Sequence, residues 1–240
     1  MALPATTPDA VNASDPMFRQ MYAATTAQAW AIPQLSNREK TFLCVVADVC
    51  HANLGSAFEL HVRTGLAHGV SLADIRVLLR FISYDTGYQA ALEAFAALDA
   101  LGGLAGIEPE GSLPKTALLP EELTTTGASA APSPLPEPLR AALRGLDPHF
   151  AEYCDLQSRM RTPSGPDTLS IRERAFALMS IDVHYQTLDD SFRVHTGRAL
   201  SAGASPQDVR AVLRFIAHFG LTRVWRAWIA FNAHLADLDT

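Results

Sequence analysis

Eleven side chains of this sequence are of a type and in a setting that could carry chemistry. His61 and His195 come first. A neutral imidazole near pH 7 can give or take a proton in a transition state, typically worth about 10²–10⁴ in rate. Asp48 and Asp182 interrupt the apolar runs FLCVVADVC and FALMSIDVH. A lone carboxylate in such a run is costly unless paired, so each could fix a histidine tautomer or act as a base with a raised pKa. A structural pairing with Arg38, Arg172 or an arginine near the LRFI segments is the alternative. Cys50 and His184 follow two residues after the aspartates and are candidate substrate contacts. Tyr84 and His218 stand just after LRFI and could line a pocket. Arg80 and Arg214 could receive a carboxylate, although a solvated face is the simpler fate. Trp225, three residues before Trp228, could wall a ligand cavity or belong to the core or an interface. Glu59 and Arg193 precede the histidines by two residues with opposite charge, which fits solvated surface.

These residues recur at a fixed offset. LSNREKTF from Leu35 aligns with LSIRERAF from Leu169, 134 positions on, and the register holds without a gap for about 50 residues. Asp48-Val49 matches Asp182-Val183, His61 matches His195, and LRFI at 79–82 matches LRFI at 213–216. DPMF at 15–18 and DPHF at 147–150 stand upstream of the two blocks. The expected organisation is a first helical repeat over 15–102, a Pro/Ser/Thr-rich linker over 103–138, and a second repeat over 139–240. The linker carries EPEGSLP and TTTGASAAPSPLPEP, too little apolar surface to offset chain entropy.

The elements that must position the site are helices. Ser36-x-x-Glu39 and Ser170-x-x-Glu173 read as capping boxes opening helices to about residues 53 and 187. A second helix in each block carries the histidine and ends at Gly69 or Gly203. A third starts at Ser71 or Ser205-Pro206 and runs through LRFI. A fourth covers 87–101 or 222–238. No convincing period-two alternation occurs, so the fold class is all-α.

The pattern carried by LSNREK with HVRTGLAHGVSLADIRVLLRFISYDTGY, and again by LSIRER with HTGRALSAGASPQDVRAVLRFIAHFG, resembles the carboxymuconolactone decarboxylase family, which includes the alkylhydroperoxidase D-like proteins. The resemblance implies an all-α module that pairs with itself, here two tandem copies forming an intramolecular pseudo-dimer. It further implies a homo-oligomer, a dimer or trimer of pseudo-dimers, and marks His61 and His195 as the functional histidines. Peroxidase members carry a C-x-x-C before that histidine; those positions are Leu54 and Ala57, or Leu188 and Ser191. Their supporting glutamate is replaced by Phe42 or Phe176. Without a low-pKa thiolate, thiol peroxidase activity is disfavoured.

The expected function is a cofactor-free enzyme on a small carboxylated or carbonyl-bearing metabolite, decarboxylase-like or a related isomerase, cyclase or dehydratase. A non-catalytic binding or scaffold protein is the rival. No metal is expected, since no H-x-x-x-H or H-E-x-x-H places two ligands on one turn. The chain is 48% hydrophobic and 18% charged with net charge −6 and pI near 5.7. That balance predicts no nucleic-acid and no membrane partner. With no signal-peptide pattern and an odd count of three cysteines, a cytoplasmic location is expected.

Overall fold

Serines that can satisfy the free N–H groups of a helix start set the architecture. In a computed structural model, which describes residues 15–102, 107, 117–161 and 169–238, Ser36 caps α2 (Asn37–Cys50) and Ser170 caps α9 (Ile171–Tyr185). Each box is reciprocal: Ser36 Oγ accepts from Glu39 N and Glu39 Oε2 accepts from Ser36 N, with the same pair of bonds at Ser170 and Glu173. Ser71–Asp74 and Ser205–Asp208 form the same device at α4 (Leu72–Thr86) and α11 (Pro206–Ile216). Between them lie α3 (Ser56–Ala67) and α10 (Asp190–Ser201). The turns that follow contain Gly69 and Gly203 at φ 83° and 87°, a region that glycine enters without a Cβ penalty. The helices α5 (Tyr88–Leu101) and α12 (Leu221–Leu238) close the two blocks, and α1 (Pro16–Trp30) precedes the first. α2 and α9 stop at Cys50 and Tyr185, two to three residues short of the expected ends, where Asn53 N and Thr187 N turn back onto the carbonyls of Asp48 and Asp182. No strand occurs among the described residues, and no described helix is long and apolar enough to cross a membrane.

The chain forms two compact units, Met1–Leu113 with Leu169–Thr240, and Pro114–Thr168. In the larger unit, α2 and α9 pack against each other and are buried nearly all round, which is why their sequences read as almost continuous apolar runs. Each contributes to both cores. Leu43 and Cys44 of α2 join Phe176, Phe192, Phe215 and Phe231; Ala177, Leu178 and Ile181 of α9 join Phe42, Phe58, Leu78 and Ile82. Charge crosses the same seam reciprocally. Arg38 pairs with Glu173 at 2.6 Å and Asp74 at 2.6 Å, while Arg172 pairs with Glu39 at 2.7 Å and Asp208 at 3.2 Å. The two guanidinium groups lie over Phe42 and Phe176.

The smaller unit consists of α6 (Glu121–Thr124), a 3₁₀ turn at Gly127–Ser129, α7 (Glu137–Leu146) and α8 (Pro148–Arg161). Asp155 of α8 accepts from Ser133 and Arg140, and Arg159 donates to Thr125 O at 2.8 Å. These bonds tie the DPHF helix to the Pro/Ser/Thr-rich segment. The compact units are therefore drawn differently from the 15–102, 103–138 and 139–240 modules of the sequence. α7 begins inside the expected linker, and residues 103–106, 108–116 and 162–168 lie outside the described part.

Candidate active site

The two aspartates inside α2 and α9 meet the two histidines of the following helices. His61 Nδ1 donates to Asp48 Oδ2 at 2.7 Å, and His195 Nδ1 donates to Asp182 Oδ2 at 2.6 Å. All four side chains are buried, the imidazoles 8% and 9% exposed. The arginines weighed as partners for these aspartates are engaged at the helix starts instead.

The two centres are alike in plan and different in support. Asp182 Oδ1 also accepts from Thr187 and Ser191, each at 2.7 Å. The corresponding positions beside Asp48 are Asn53 and Ala57, so those hydroxyl donors are missing. His61 instead has the buried Cys44 thiol beside it, where the other half has Leu178. Burial disfavours the His61 imidazolium, yet the neighbouring Cys44 and the bond to Asp48 outweigh it and hold its pKa well above the ordinary value. Burial pushes the Asp48 carboxyl up as well, against the pull of His61. The pair thus retains a shared proton to higher pH than a free imidazole does.

Around His61 the second half contributes a ring of aromatic and basic groups. The 3₁₀ turn Ala217–Phe219 sets Phe219 edge-on to His61 at 5.8 Å and to His184 at 6.1 Å, with His218 3.8 Å from the same ring. His218 Nδ1 bonds the Phe215 carbonyl. His184 Nδ1 lies 3.0 Å from His51 Nε2, and Arg223 Nη1 donates to His51, 2.7 Å from Nε2. Burial, then the neighbouring His51, Arg223 and His218, drive His184 down to about 3; burial likewise drives His218 down to about 4. A cavity of about 540 Å³ opens here, lined by His51, Asn53, Phe219, Gly220, Leu221, Thr222 and Arg223.

The structure therefore gathers His61, with Asp48 behind it, His184 and His218 around Phe219; Phe219 lines the cavity, and none of these four does. Cys50 does not line the cavity; it bonds Tyr185 and lies within electrostatic range of Arg223, with burial above all pushing its thiol up to about 12. A thiol so held is a poor nucleophile. Tyr84 is half-buried at the end of α4 and does not line the cavity. Arg80 and Arg214 are exposed, the latter 3.4 Å from Gln34, and neither lines it. Trp225 is 67% exposed on α12, while Trp228 packs against the core. Glu59 pairs with Arg63 and Arg193 with Asp237 at the surface. Among the described residues no three His, Cys, Asp or Glu side chains are grouped so as to hold a metal ion. Sequence reasoning missed Arg223 and the participation of Phe219. Neither belongs to a spaced motif, and Arg223 meets His51 across 172 positions of sequence.

No family model matches the sequence, and no curated protein matches it. Among solved structures, the chain is similar over 99% of its length to a protein from Burkholderia xenovorans LB400, of which it covers 92%, with TM-score 0.51 and 20% identity. The assignment of that protein as a gamma-carboxymuconolactone decarboxylase subunit is itself provisional. At this identity the likeness speaks for the fold, and the chain has the all-helical fold of a carboxymuconolactone decarboxylase-like protein.

Proposed function

We propose that the protein is an enzyme acting without a cofactor on a small carboxylated or carbonyl-bearing metabolite, by decarboxylation or a related proton transfer such as isomerisation, cyclisation or dehydration. The observation that carries this reading is the Asp48–His61 pair, buried, with His61 against the Phe219 ring that lines a cavity. In a decarboxylation the C–C bond to the carboxylate breaks, CO₂ leaves, and its electron pair remains on the substrate carbon. The His61 imidazolium protonates that carbon and regains its proton from water, while Asp48 holds Nδ1 and so fixes Nε2 as the working nitrogen. His218 and His184, held neutral by burial, are suited to hydrogen-bond the substrate without adding charge. The likeness to a protein assigned as a decarboxylase subunit favours decarboxylation among these reactions.

The His195–Asp182 pair is the structural counterpart in this reading. Its aspartate is bonded on both oxygens by protein groups, which suits a fixed internal brace. The matching caps, the matching dyads and the reciprocal Arg38–Glu173 and Arg172–Glu39 pairs favour a tandem duplication forming an intramolecular pseudo-dimer. The exposed Leu221, Trp225 and Ile229 on α12, with Tyr88 and Leu92 on α5, favour assembly into a homo-oligomer.

The test is CO₂ release from a panel of carboxylated lactones and β-keto acids by wild type, His61→Asn and His195→Asn. His61→Asn should lose about 10²–10⁴-fold and His195→Asn little. Full activity in both variants would end the acid–base reading.

A further inference from the structure

The smaller unit holds a cavity of its own, of about 610 Å³, lined by α7, α8 and the stretch 127–133. A space of that size takes a small metabolite. Ala130, Ala131, Pro132 and Ala151 give the lining an apolar part, and Arg140, Arg144 and Arg159 a basic one. Two of these three arginines are neutralised within the unit. Arg140 donates to both oxygens of Asp155 and pairs with Glu137, and Arg144 pairs with Glu137 as well.

Arg159 is the exception. It is 5% exposed, yet among the described residues no carboxylate lies within salt-bridge distance of it. Its one hydrogen bond there runs from Nη2 to Thr125 O at 2.8 Å, and its Nε is buried with no partner. Asp155, one turn earlier on α8, stands at the spacing of a helical ion pair and lies within electrostatic range. Its oxygens, however, are engaged by Arg140 and Ser133. A guanidinium withdrawn from water with no counter-charge of its own is costly. With five N–H donors and one carbonyl to meet, most of its bonding capacity is unused.

We propose that this cavity binds the carboxylate of a small aliphatic acid, with Arg159 as the counter-charge and Ala130, Ala131 and Pro132 against the hydrocarbon body. Arg159 supplies one uncommitted positive charge, and Glu152, also in the lining, repels a second negative charge on the ligand. The site therefore suits a monocarboxylate better than a phosphate dianion. It shares no residue with the Asp48–His61 centre and does not rest on the acid–base reading.

The experiment is an NMR titration of the whole ¹⁵N-labelled chain, following backbone amide and arginine Nε–H signals, with butyrate, butyramide and inorganic phosphate in separate runs. Butyrate should cause saturable shifts at Ala131 and at the Nε–H of Arg159, the signal that Arg159→Lys removes. Butyramide, of the same shape without the charge, should cause none. Arg159→Gln should weaken butyrate tenfold or more, and Arg159→Lys less, since it keeps the charge without the planar fork. Ala131→Phe fills the cavity and leaves Arg159 in place; it should weaken butyrate equally, and it carries the test if Arg159→Gln fails to fold, which the same spectra report. The site is refuted by no saturable shift up to about 50 mM butyrate, far beyond a millimolar site. Binding that survives either Arg159→Gln or Ala131→Phe refutes it too. Tighter saturation by phosphate, or equal saturation by butyramide, overturns the carboxylate assignment.

Discussion

His51 and His184 face each other with Nε2 and Nδ1 3.0 Å apart, one imidazole from each side of the α2–α9 seam, and Arg223 lies against the outer one. Packing a guanidinium and two imidazoles this closely is tolerable only while the imidazoles stay neutral. His184 and His218 take up protons only near pH 3 and 4 in the folded protein, but near 6.5 once unfolded. Between those values the unfolded chain binds more protons, so stability falls as pH drops from about 6.5 toward 4, by about 1.4 kcal/mol per pH unit for each group. Urea unfolding from pH 7 to 4.5 should show a slope of this sign, smaller by about 1.4 kcal/mol per pH unit in His184→Gln. An unchanged slope would mean that His184 is already protonated in the native state.

The Asp48–His61 pair titrates in the opposite sense. Its proton is held more tightly in the folded protein than in the unfolded chain, so its contribution is complete below about pH 6.5 and fades as pH rises through the raised value. Asp48→Asn strands the imidazolium beside Cys44 without its counter-charge. The melting temperature of this variant should therefore lie furthest below wild type in the acidic range and converge at alkaline pH. Its activity should lose most of the about 10²–10⁴-fold that acid–base catalysis supplies, because Nδ1 is no longer held as a donor.

Asp182 should be the more dependent on its neighbours. Thr187 and Ser191 both donate to Oδ1 at 2.7 Å, and the carboxylate is 3% exposed, so water cannot replace them. Thr187→Val and Ser191→Ala should each cost about 1.5–3 kcal/mol, the range for a hydrogen bond to a charged group. The reverse change, Ala57→Ser, offers Asp48 the donor that it lacks and should change the pH profile of activity if Asp48–His61 is the working pair. Chemical denaturation measures the first effect and initial rates against pH the second.

How far all this could be read in advance differs by element. The helices were legible because their starts are chemical: Ser36 with Glu39 and Ser170 with Glu173 have one good geometry, and both boxes form it. Asp48 and Asp182 were legible as buried charges needing partners, since a carboxylate within an apolar helix allows few alternatives. The pocket was not. Arg223 has no arginine at the matching positions Gln89 or Ala90, and its meeting with His51 depends on how α12 docks, which no local pattern encodes. Trp225 drew notice as an aromatic on a regular helix face, yet that face is largely exposed. α7 was hidden by the prolines before it, which mark a turn but also sit comfortably at a helix start.

The tight approach of α3 to α2 at Gly65 supplies a test of the two halves as variants of one packing solution. A Cβ on Gly65 of α3 would stand 2.5 Å from Thr41 Cγ2 of α2, nearer than carbon atoms can approach. In the other half, the matching residues are Ala199 and Ala175, both buried: the Cβ that Gly65 lacks is present, and the methyl and hydroxyl of Thr41 are absent. The volume has moved from one helix to the other. Gly65→Ala alone should cost about 1–3 kcal/mol by overpacking, despite the gain in helix propensity. Thr41→Ala alone should cost less, losing a buried methyl and a bond to Asn37 O. Combined, the two changes install the pairing already used at 175 and 199, and the double variant should be more stable than Gly65→Ala by itself. Urea denaturation of the four proteins gives the coupling energy directly. Simple additivity would show that α2 and α3 shift apart rather than interlock, and that the residues 134 positions away are no guide to this crossing.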